Sequence, residues 1–416
     1  MNKKSWYAWV VLLGAGMILF SVTGLIYNTQ SLYIAPILEK FPEFSRASFT
    51  LTITISSIVM AILCMSLSKV VKKIGVRKMT MIGGITGVLY LFINSIAQSL
   101  IVFYLSAVLL GITITFCVVV TAPTLINSWF AKNSGTLLAI ATSVGYAGSM
   151  IFSPIIGNWI QTYGYQVAYR NNLIFVAVIM AVGILLIRDN PDSEVGPLWA
   201  DKESDTKQNT NSKIAVEGLT LAEAKKTKSF YLLLFCAFAL SFSITSTMQT
   251  MAVYAQGLGY SSVYAGVMMS IYSIVNVVAT VPCGFLCDKL GVRTVITSGA
   301  VAFIVGILLM MNAAVLPSYT MYVVAGLIAY GMIMPLVPIQ LSVKQVFGLK
   351  EYAGILGVVS SARTIGAAIG MPALQLVYDI KQSYNIAFVI YIAIAIAIII
   401  MIGLATSKKN LANVKG

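Results

Sequence analysis

Long apolar runs, each about as long as the hydrocarbon core of a membrane is thick, follow one another along most of the chain. A helix needs about 20 mainly apolar residues to cross that core. Twelve such runs can be drawn, and in chain order, as spans 1 to 12, they lie near residues 7–27, 48–68, 79–97, 101–127, 136–158, 170–187, 230–254, 264–283, 294–312, 319–341, 353–376 and 384–406. The pattern predicts an all-α membrane protein with twelve transmembrane helices.

One polar segment divides these runs into two groups of six. Residues 188–228 hold 7 basic and 8 acidic residues and almost no apolar clustering. A segment of this composition cannot bury a core of its own. We therefore predict an N-terminal six-helix bundle over residues 1–187, a linker over 188–228 and a C-terminal six-helix bundle over 229–416.

The two groups carry a related loop. The stretch SKVVKKIGVRKM follows span 2, and GFLCDKLGVRTV follows span 8. Gly75 and Gly291, which are 216 residues apart, are each followed by Val-Arg. Repeated halves with a substrate site between them near the midplane are a known plan of membrane transporters.

Composition and charge support a membrane protein and give its orientation. The chain is 59% hydrophobic and 10% charged, whereas soluble domains carry roughly 25% charged residues, and its mean hydropathy is +0.91. Of the 27 Lys and Arg residues, 22 lie on the side that holds both termini and 1 lies within a span. The remaining 4 lie on the opposite side and are Lys40, Arg46, Arg170 and Lys381. The positive-inside rule predicts that both termini are cytoplasmic, so the net charge of +14 is a topology signal and predicts no nucleic-acid partner.

The second loop identifies a family. Gly284, Asp288, Gly291 and Arg293 match the loop signature of the major facilitator superfamily. Further stretches, among them WFAKNSGTLLAIATSVGYAG and VYDIKQSYNIAF, resemble the bacterial branch of the monocarboxylate transporter and oxalate:formate antiporter group. The resemblance implies two pseudo-symmetric six-helix bundles and a loop motif that controls cytoplasmic closure.

The first loop departs from that signature. It keeps Gly75 and Arg77, but Ser68 stands in place of the usual Gly and Lys72 in place of the usual Asp. In the family, the Asp pairs with basic groups and the next helix and so latches one conformation. The resemblance therefore assigns Lys72, Gly75 and Arg77 to a gating motif whose latch lacks its acidic residue.

One charge lies inside a predicted span. Arg363 in GVVSSARTIGAAIG cannot lose its charge, and placing that charge at mid-membrane costs between about 3 and 17 kcal/mol. On a helix it shares its face with small residues, which predicts room for a ligand; these are Ser360, Gly366, Ala367 and Gly370. No Asp or Glu lies within any predicted span, so a substrate carboxylate is the expected partner.

A structural role for the arginine is the alternative. Its side chain could reach an interface or bond to helix-end carbonyls. The resemblance supports the first interpretation, because oxalate:formate antiporters bind a carboxylate through a basic residue at a similar A-[K/R]-G point. Ala362-Arg363 matches that point, although Thr364 replaces the Gly.

Span 8 lacks the charged pair of its relatives. Monocarboxylate transporters carry an Asp and an Arg one turn apart there, where Asn276 and Thr280 align, and Tyr272 shares their face. The three could line an uncharged polar wall of the site or could form a polar stripe that packs helices together. One central cation favours a monoanion over a dianion. Other polar residues within the spans could complete the site or could bond helices to one another; they are Tyr27, Asn28, Tyr146, Gln249 and Tyr330.

These observations predict a secondary active transporter of a small organic anion, such as a monocarboxylate, that works by alternating access as an antiporter or a proton-linked symporter. Bulkier amphipathic anions, export of hydrophobic compounds and a non-transporting anion sensor are the alternatives. No P-loop for ATP is present, and the chain has no His. We therefore expect no enzyme activity, cofactor or metal, and a monomer in the inner membrane of a bacterium.

Overall fold

The computed structural model describes residues 3–130, 134–189, 218–334, 337–348 and 350–405, and nearly all of them are helical. Eleven helices are long and apolar enough to cross a membrane, and a shorter apolar helix covers Thr320–Met332. Together they match the twelve predicted spans. The described ranges contain no strand, and an isolated antiparallel bridge joins Gly218 to Gly348. The all-α membrane fold is therefore confirmed.

The helices are numbered here in chain order. They are α1 Lys3–Leu19, α2 Gln30–Lys40, α3 Arg46–Ile74, α4 Val76–Ile96, α5 Leu100–Ile114, α6 Ala122–Trp129, α7 Ser134–Tyr163, α8 Tyr165–Leu186, α9 Leu221–Ala224, α10 Lys228–Gly257, α11 Ser262–Leu290, α12 Val292–Met311, α13 Thr320–Met332, α14 Val337–Phe347, α15 Tyr352–Lys381 and α16 Asn385–Ala405. Two π-helical segments, Phe20–Tyr27 and Thr115–Thr121, lie within spans 1 and 4.

Span 1 is longer than the sequence indicated. The apolar run ends near residue 27, but the apolar helical segment continues from Trp6 to Lys40. The polar stretch that follows Tyr27 does not end it, because Asn28, Thr29 and Gln30 are buried. The Thr29 hydroxyl donates to the Leu25 carbonyl at 2.6 Å, so its polar group is satisfied within the helix.

The two related loops have the same backbone. Gly75 lies just before α4 with a φ of 84°, and Gly291 lies just before α12 with a φ of 82°. A residue with a Cβ is strained at such a positive φ angle, which explains why each copy of the motif keeps a glycine there. The repeat seen in the sequence therefore produces the same tight entry into a helix twice.

One compact unit comprises Met1–Phe44, Leu51–Asn211 and Gly259–Val277. Its apolar core joins spans 1, 4, 5 and 6 through buried side chains such as Ile18, Leu125 and Met180. Spans 1 and 5 approach closely, since a Cβ on Gly24 would lie 2.7 Å from the Gly145 carbonyl oxygen.

The other compact unit comprises Ser45–Thr50, Ser212–Leu258 and Val278–Gly416. Within it, α10 and α15 pack closely along their lengths. The end of the linker also belongs here, because the Leu219 amide donates to the Phe347 carbonyl at 2.8 Å. The predicted division at residues 187 and 229 stays a prediction, and residues 190–217 of the linker lie outside the described ranges.

Candidate functional site

Arg363 lies in α15 and is partly buried. Eleven residues of the helix precede it and eighteen follow it, so at 1.5 Å per residue it is about 17 Å from one end and about 27 Å from the other. Ile365 and Ile369 on the opposite face are 55% and 42% exposed, as an apolar lipid-facing surface requires. The charge therefore projects from the protein-facing side of a long membrane helix.

The room predicted beside Arg363 is partly filled, which corrects the sequence interpretation. A Cβ on Gly366 would collide with the carbonyl oxygen of Phe238, and one on Gly370 with that of Phe242. The two glycines thus allow α10 to approach α15, and no space for a ligand is left at these two positions. Ser360 and Ala367 are only half-buried on that face.

The acid within α15 is Asp379. It lies sixteen residues beyond Arg363, which is about 24 Å along the helix axis. Its carboxylate already accepts hydrogen bonds from the first turn of α3. Asp379 is therefore no counter-ion for Arg363.

The first compact unit brings several predicted site residues together. Tyr27 and Tyr146 lie within electrostatic reach of the buried Tyr272, whose side chain also lies next to Asn276. The Asn276 Nδ2 donates to the Tyr272 carbonyl at 3.0 Å, and Tyr272 and Asn276 are both almost fully buried. These four residues, from spans 1, 5 and 8, form the tyrosine cluster.

Asn28 and Thr280 stand outside that cluster. Asn28 follows Tyr27 and is buried, and its Nδ2 has no hydrogen-bond partner in the part of the chain that the structure describes. Thr280 is half-buried and belongs to the second compact unit, whereas Asn276 belongs to the first. The polar face that Tyr272, Asn276 and Thr280 were predicted to share along span 8 is therefore divided between the units after Val277.

Gln249 lies in the second unit and is fully buried. Neither its Nε2 nor its Oε1 has a hydrogen-bond partner among the described residues. The next residue, Thr250, accepts from Gln375 at 3.0 Å, and Gln375 lies twelve residues beyond Arg363, or about 18 Å along α15. Gln249 is therefore at a different depth from Arg363.

The contacts of Tyr330 favour a role in bonding helices to one another over a role in substrate binding. It is half-buried, and its hydroxyl forms a hydrogen bond of 2.9 Å with the hydroxyl of Ser298. That bond joins α13 to α12. The tyrosine therefore has a helix-bridging role that needs no substrate.

The gating-motif residues are described only in part. The Arg77 amide donates to the Asp189 carboxylate at 2.5 Å, and the Arg293 guanidinium lies 3.0 Å from where a Cβ on Gly403 would be. The side chains of Lys72, Gly284 and Asp288 lie outside the described residues. Their predicted roles stay predictions.

A polar network that the sequence did not suggest lies at the predicted outer ends of the helices. The Asp379 carboxylate accepts from the Arg46 amide at 3.3 Å and the Ala47 amide at 2.8 Å, so it caps the N-terminus of α3. The Arg46 guanidinium lies 4.2 Å above the Tyr378 ring and donates to the Tyr384 hydroxyl at 3.1 Å. We call this set the outer latch.

The outer latch continues to α10. The Tyr384 hydroxyl donates to Gln375 Oε1 at 2.8 Å, and Gln375 bonds to Thr250. The pairing of residues more than 330 positions apart left no signal in the sequence beyond the outer location of Arg46.

The chain is similar to known membrane transporters over most of its length. A family model described as Major Facilitator Superfamily matches residues 8–337 and 233–415. In structure, the chain is similar to the nucleoside transporter NupG, with a TM-score of 0.71 at 13% identity over 98% of this chain and 100% of that one. At this identity, the likeness shows the fold alone.

Three relatives with similar sequences are also named as transporters. The uncharacterized MFS-type transporter YhjX of Escherichia coli is 24% identical, over 86% of this chain and 85% of its own. Monocarboxylate transporter 4 of Gallus gallus is 24% identical, over 92% of this chain and 79% of its own. Monocarboxylate transporter 13 of Rattus norvegicus is 25% identical, over 76% and 70%.

Proposed function

Because the chain belongs to the Major Facilitator Superfamily and is thus a multi-pass membrane transporter, we propose that it moves a small organic monoanion, a monocarboxylate, by alternating access. The membrane is proposed to be the inner membrane of a bacterium. Transport runs either as exchange of one anion for another or with a proton.

Arg363 is the observation that carries this proposal. It is a permanent cation in a membrane helix, with eleven helical residues before it and eighteen after it. A substrate carboxylate can accept two parallel N–H bonds from a guanidinium. Such binding offsets the cost of the charge each time substrate occupies the site.

Neutral polar residues support a singly charged substrate. The aligned positions in span 8 are Asn276 and Thr280, which add hydrogen-bonding groups without a second cation. Within its own unit, the tyrosine cluster offers aromatic and hydroxyl groups of the kind that suit a carboxylate with an apolar body. Two of the curated relatives are named monocarboxylate transporters, which agrees with this class.

Alternating access requires contacts that form in one state and break in another. The outer latch is our candidate for such a contact. Span 2 is a single helix, yet its first residues, Ser45–Thr50, group with the second unit and the rest groups with the first. The hydrogen bonds of Asp379 tie that first turn to α15.

Ligand-induced thermal stabilisation tests the substrate class. The purified protein is heated with a panel of lactate, acetate, oxalate, a bile acid and a neutral sugar, since binding to the native state raises stability by RT ln(1 + [L]/Kd). We expect a monocarboxylate to raise the melting temperature of the parent and not that of Arg363→Gln. Arg170→Gln, which removes an exposed arginine, is the matched control and should respond like the parent. Stabilisation by a monocarboxylate that survives in Arg363→Gln would contradict the proposed clamp.

A further inference from the structure

Asp189 lies directly against the first copy of the loop motif. It follows α8, and its Oδ1 accepts from the Arg77 amide at 2.5 Å. Its Oδ2 lies 2.5 Å from where a Cβ on Gly75 would be. The carboxylate therefore occupies the space that the glycine leaves and caps the N-terminus of α4, where a negative charge is stabilising.

Contacts from other helices of the same unit hold this segment in place. The Trp129 indole donates to the Arg188 carbonyl at 3.0 Å, and the Ser128 hydroxyl donates to the Asp189 carbonyl at 3.4 Å. The Arg188 guanidinium lies 4.6 Å above the ring of Tyr7. The position of the carboxylate is thus set by spans 1, 4 and 6.

The two halves carry their acidic residue at different positions relative to the loop motif. At the offset of 216 residues between Gly75 and Gly291, Lys72 corresponds to Asp288 and Asp189 corresponds to Ala405. The second copy has its acid within the motif and none at the end of span 12, where Arg293 approaches Gly403 instead. The first copy has no acid within the motif and one at the end of span 6.

We propose that Asp189 is the positioning residue that replaces the missing motif acid in the N-terminal half. It holds the entry to α4 and offsets the basic loop, which contains Lys72, Lys73, Arg77 and Lys78. The inference that this contact controls the cytoplasmic gate depends on the proposed transport function. The role of the carboxylate at α4 does not depend on it.

Cysteine labelling tests the role of the carboxylate without any substrate. A reporter cysteine replaces the buried Val76 in a Cys64→Ser background, since the other native cysteines are buried. Inside-out vesicles are treated with an impermeant maleimide. Loss of a helix cap should raise the alkylation rate of Asp189→Ala about five-fold. Asp189→Asn, which keeps an acceptor oxygen but loses the charge, should give a smaller increase.

The double variant Lys72→Asp/Asp189→Ala decides between a positioning and a merely structural role. Restoring an acid at the motif position should return the alkylation rate towards the parent value. Counterflow of a labelled monocarboxylate should be slowed in Asp189→Ala with an unchanged KM and recover in the double variant. An alkylation rate in Asp189→Ala equal to that of the parent, or a double variant no better than Asp189→Ala, would overturn the proposal. If no carboxylate is transported at all, the proposed function fails while the alkylation result still decides the role of Asp189.

Discussion

Removing the Asp379 carboxylate should release the first turn of α3 from α15. Asp379→Ala deletes the acceptor of two backbone N–H groups, of Arg46 and Ala47, and loss of such a cap costs about 1 kcal/mol. Removal of a negative charge from a helix N-terminus adds about 0.3–1 kcal/mol. If these contacts exist only when the outer side is closed, the equilibrium shifts by about 1.3–2 kcal/mol, which is roughly ten- to thirty-fold in population.

A buried reporter at the same turn measures that shift. Thr50 is fully buried, so Thr50→Cys in a Cys64→Ser background should react slowly with an impermeant maleimide added from outside. We expect Asp379→Ala to raise the alkylation rate by roughly ten- to thirty-fold, and Asp379→Asn to raise it less because the amide oxygen still accepts. Glu43→Ala removes an exposed acid and is the control. An Asp379→Ala rate within two-fold of the parent, in folded protein, would refute the latch.

Three further outcomes follow from contacts within the units. Gly366→Ala and Gly370→Ala should each lower the melting temperature of the purified protein by several degrees, because overpacking costs about 1–3 kcal/mol. Gly357 faces open space, so Gly357→Ala should leave the melting temperature unchanged. Equal behaviour of all three variants would contradict the packing of α10 on α15. Gln249→Leu should leave the melting temperature unchanged or raise it, because Nε2 and Oε1 of Gln249 have no hydrogen-bond partner among the described residues. Gln375→Leu should lower the melting temperature, because it breaks two hydrogen bonds. The reverse order of melting temperatures in calorimetry would contradict both predictions. Tyr330→Phe should transport like the parent and Tyr272→Phe more slowly, and the opposite result in uptake assays would place the substrate at α13.

Local signals predicted the fold well. Each span has an apolar run of membrane length, and Gly75 and Gly291 mark the same turn because only glycine adopts those angles without strain. The end of span 1 was wrong in the sequence interpretation because Asn28, Thr29 and Gln30 look like a helix end. In the structure all three are buried, and the Thr29 hydroxyl bonds to a carbonyl of the preceding turn.

The site was harder to predict because it depends on contacts between residues that are far apart in the sequence. Helical periodicity placed Arg363 on the small-residue face, but it could not show that Phe238 and Phe242 fill the space at Gly366 and Gly370. The tyrosine cluster was named residue by residue, yet its assembly from spans 1, 5 and 8 requires the fold. Asp189 and Asp379 had no signal at all, since each bonds to a backbone amide more than 100 residues away.

Counterflow in proteoliposomes tests the central claim most directly. Vesicles are loaded with an unlabelled monocarboxylate, and uptake of the labelled anion is followed for the parent, Arg363→Gln and Arg170→Gln. We predict that the parent and Arg170→Gln exchange the anion, and that Arg363→Gln, reconstituted as folded protein, loses exchange by at least ten-fold, which corresponds to about 1.4 kcal/mol. Equal exchange by Arg363→Gln and the parent would contradict the assignment of Arg363 as the carboxylate clamp.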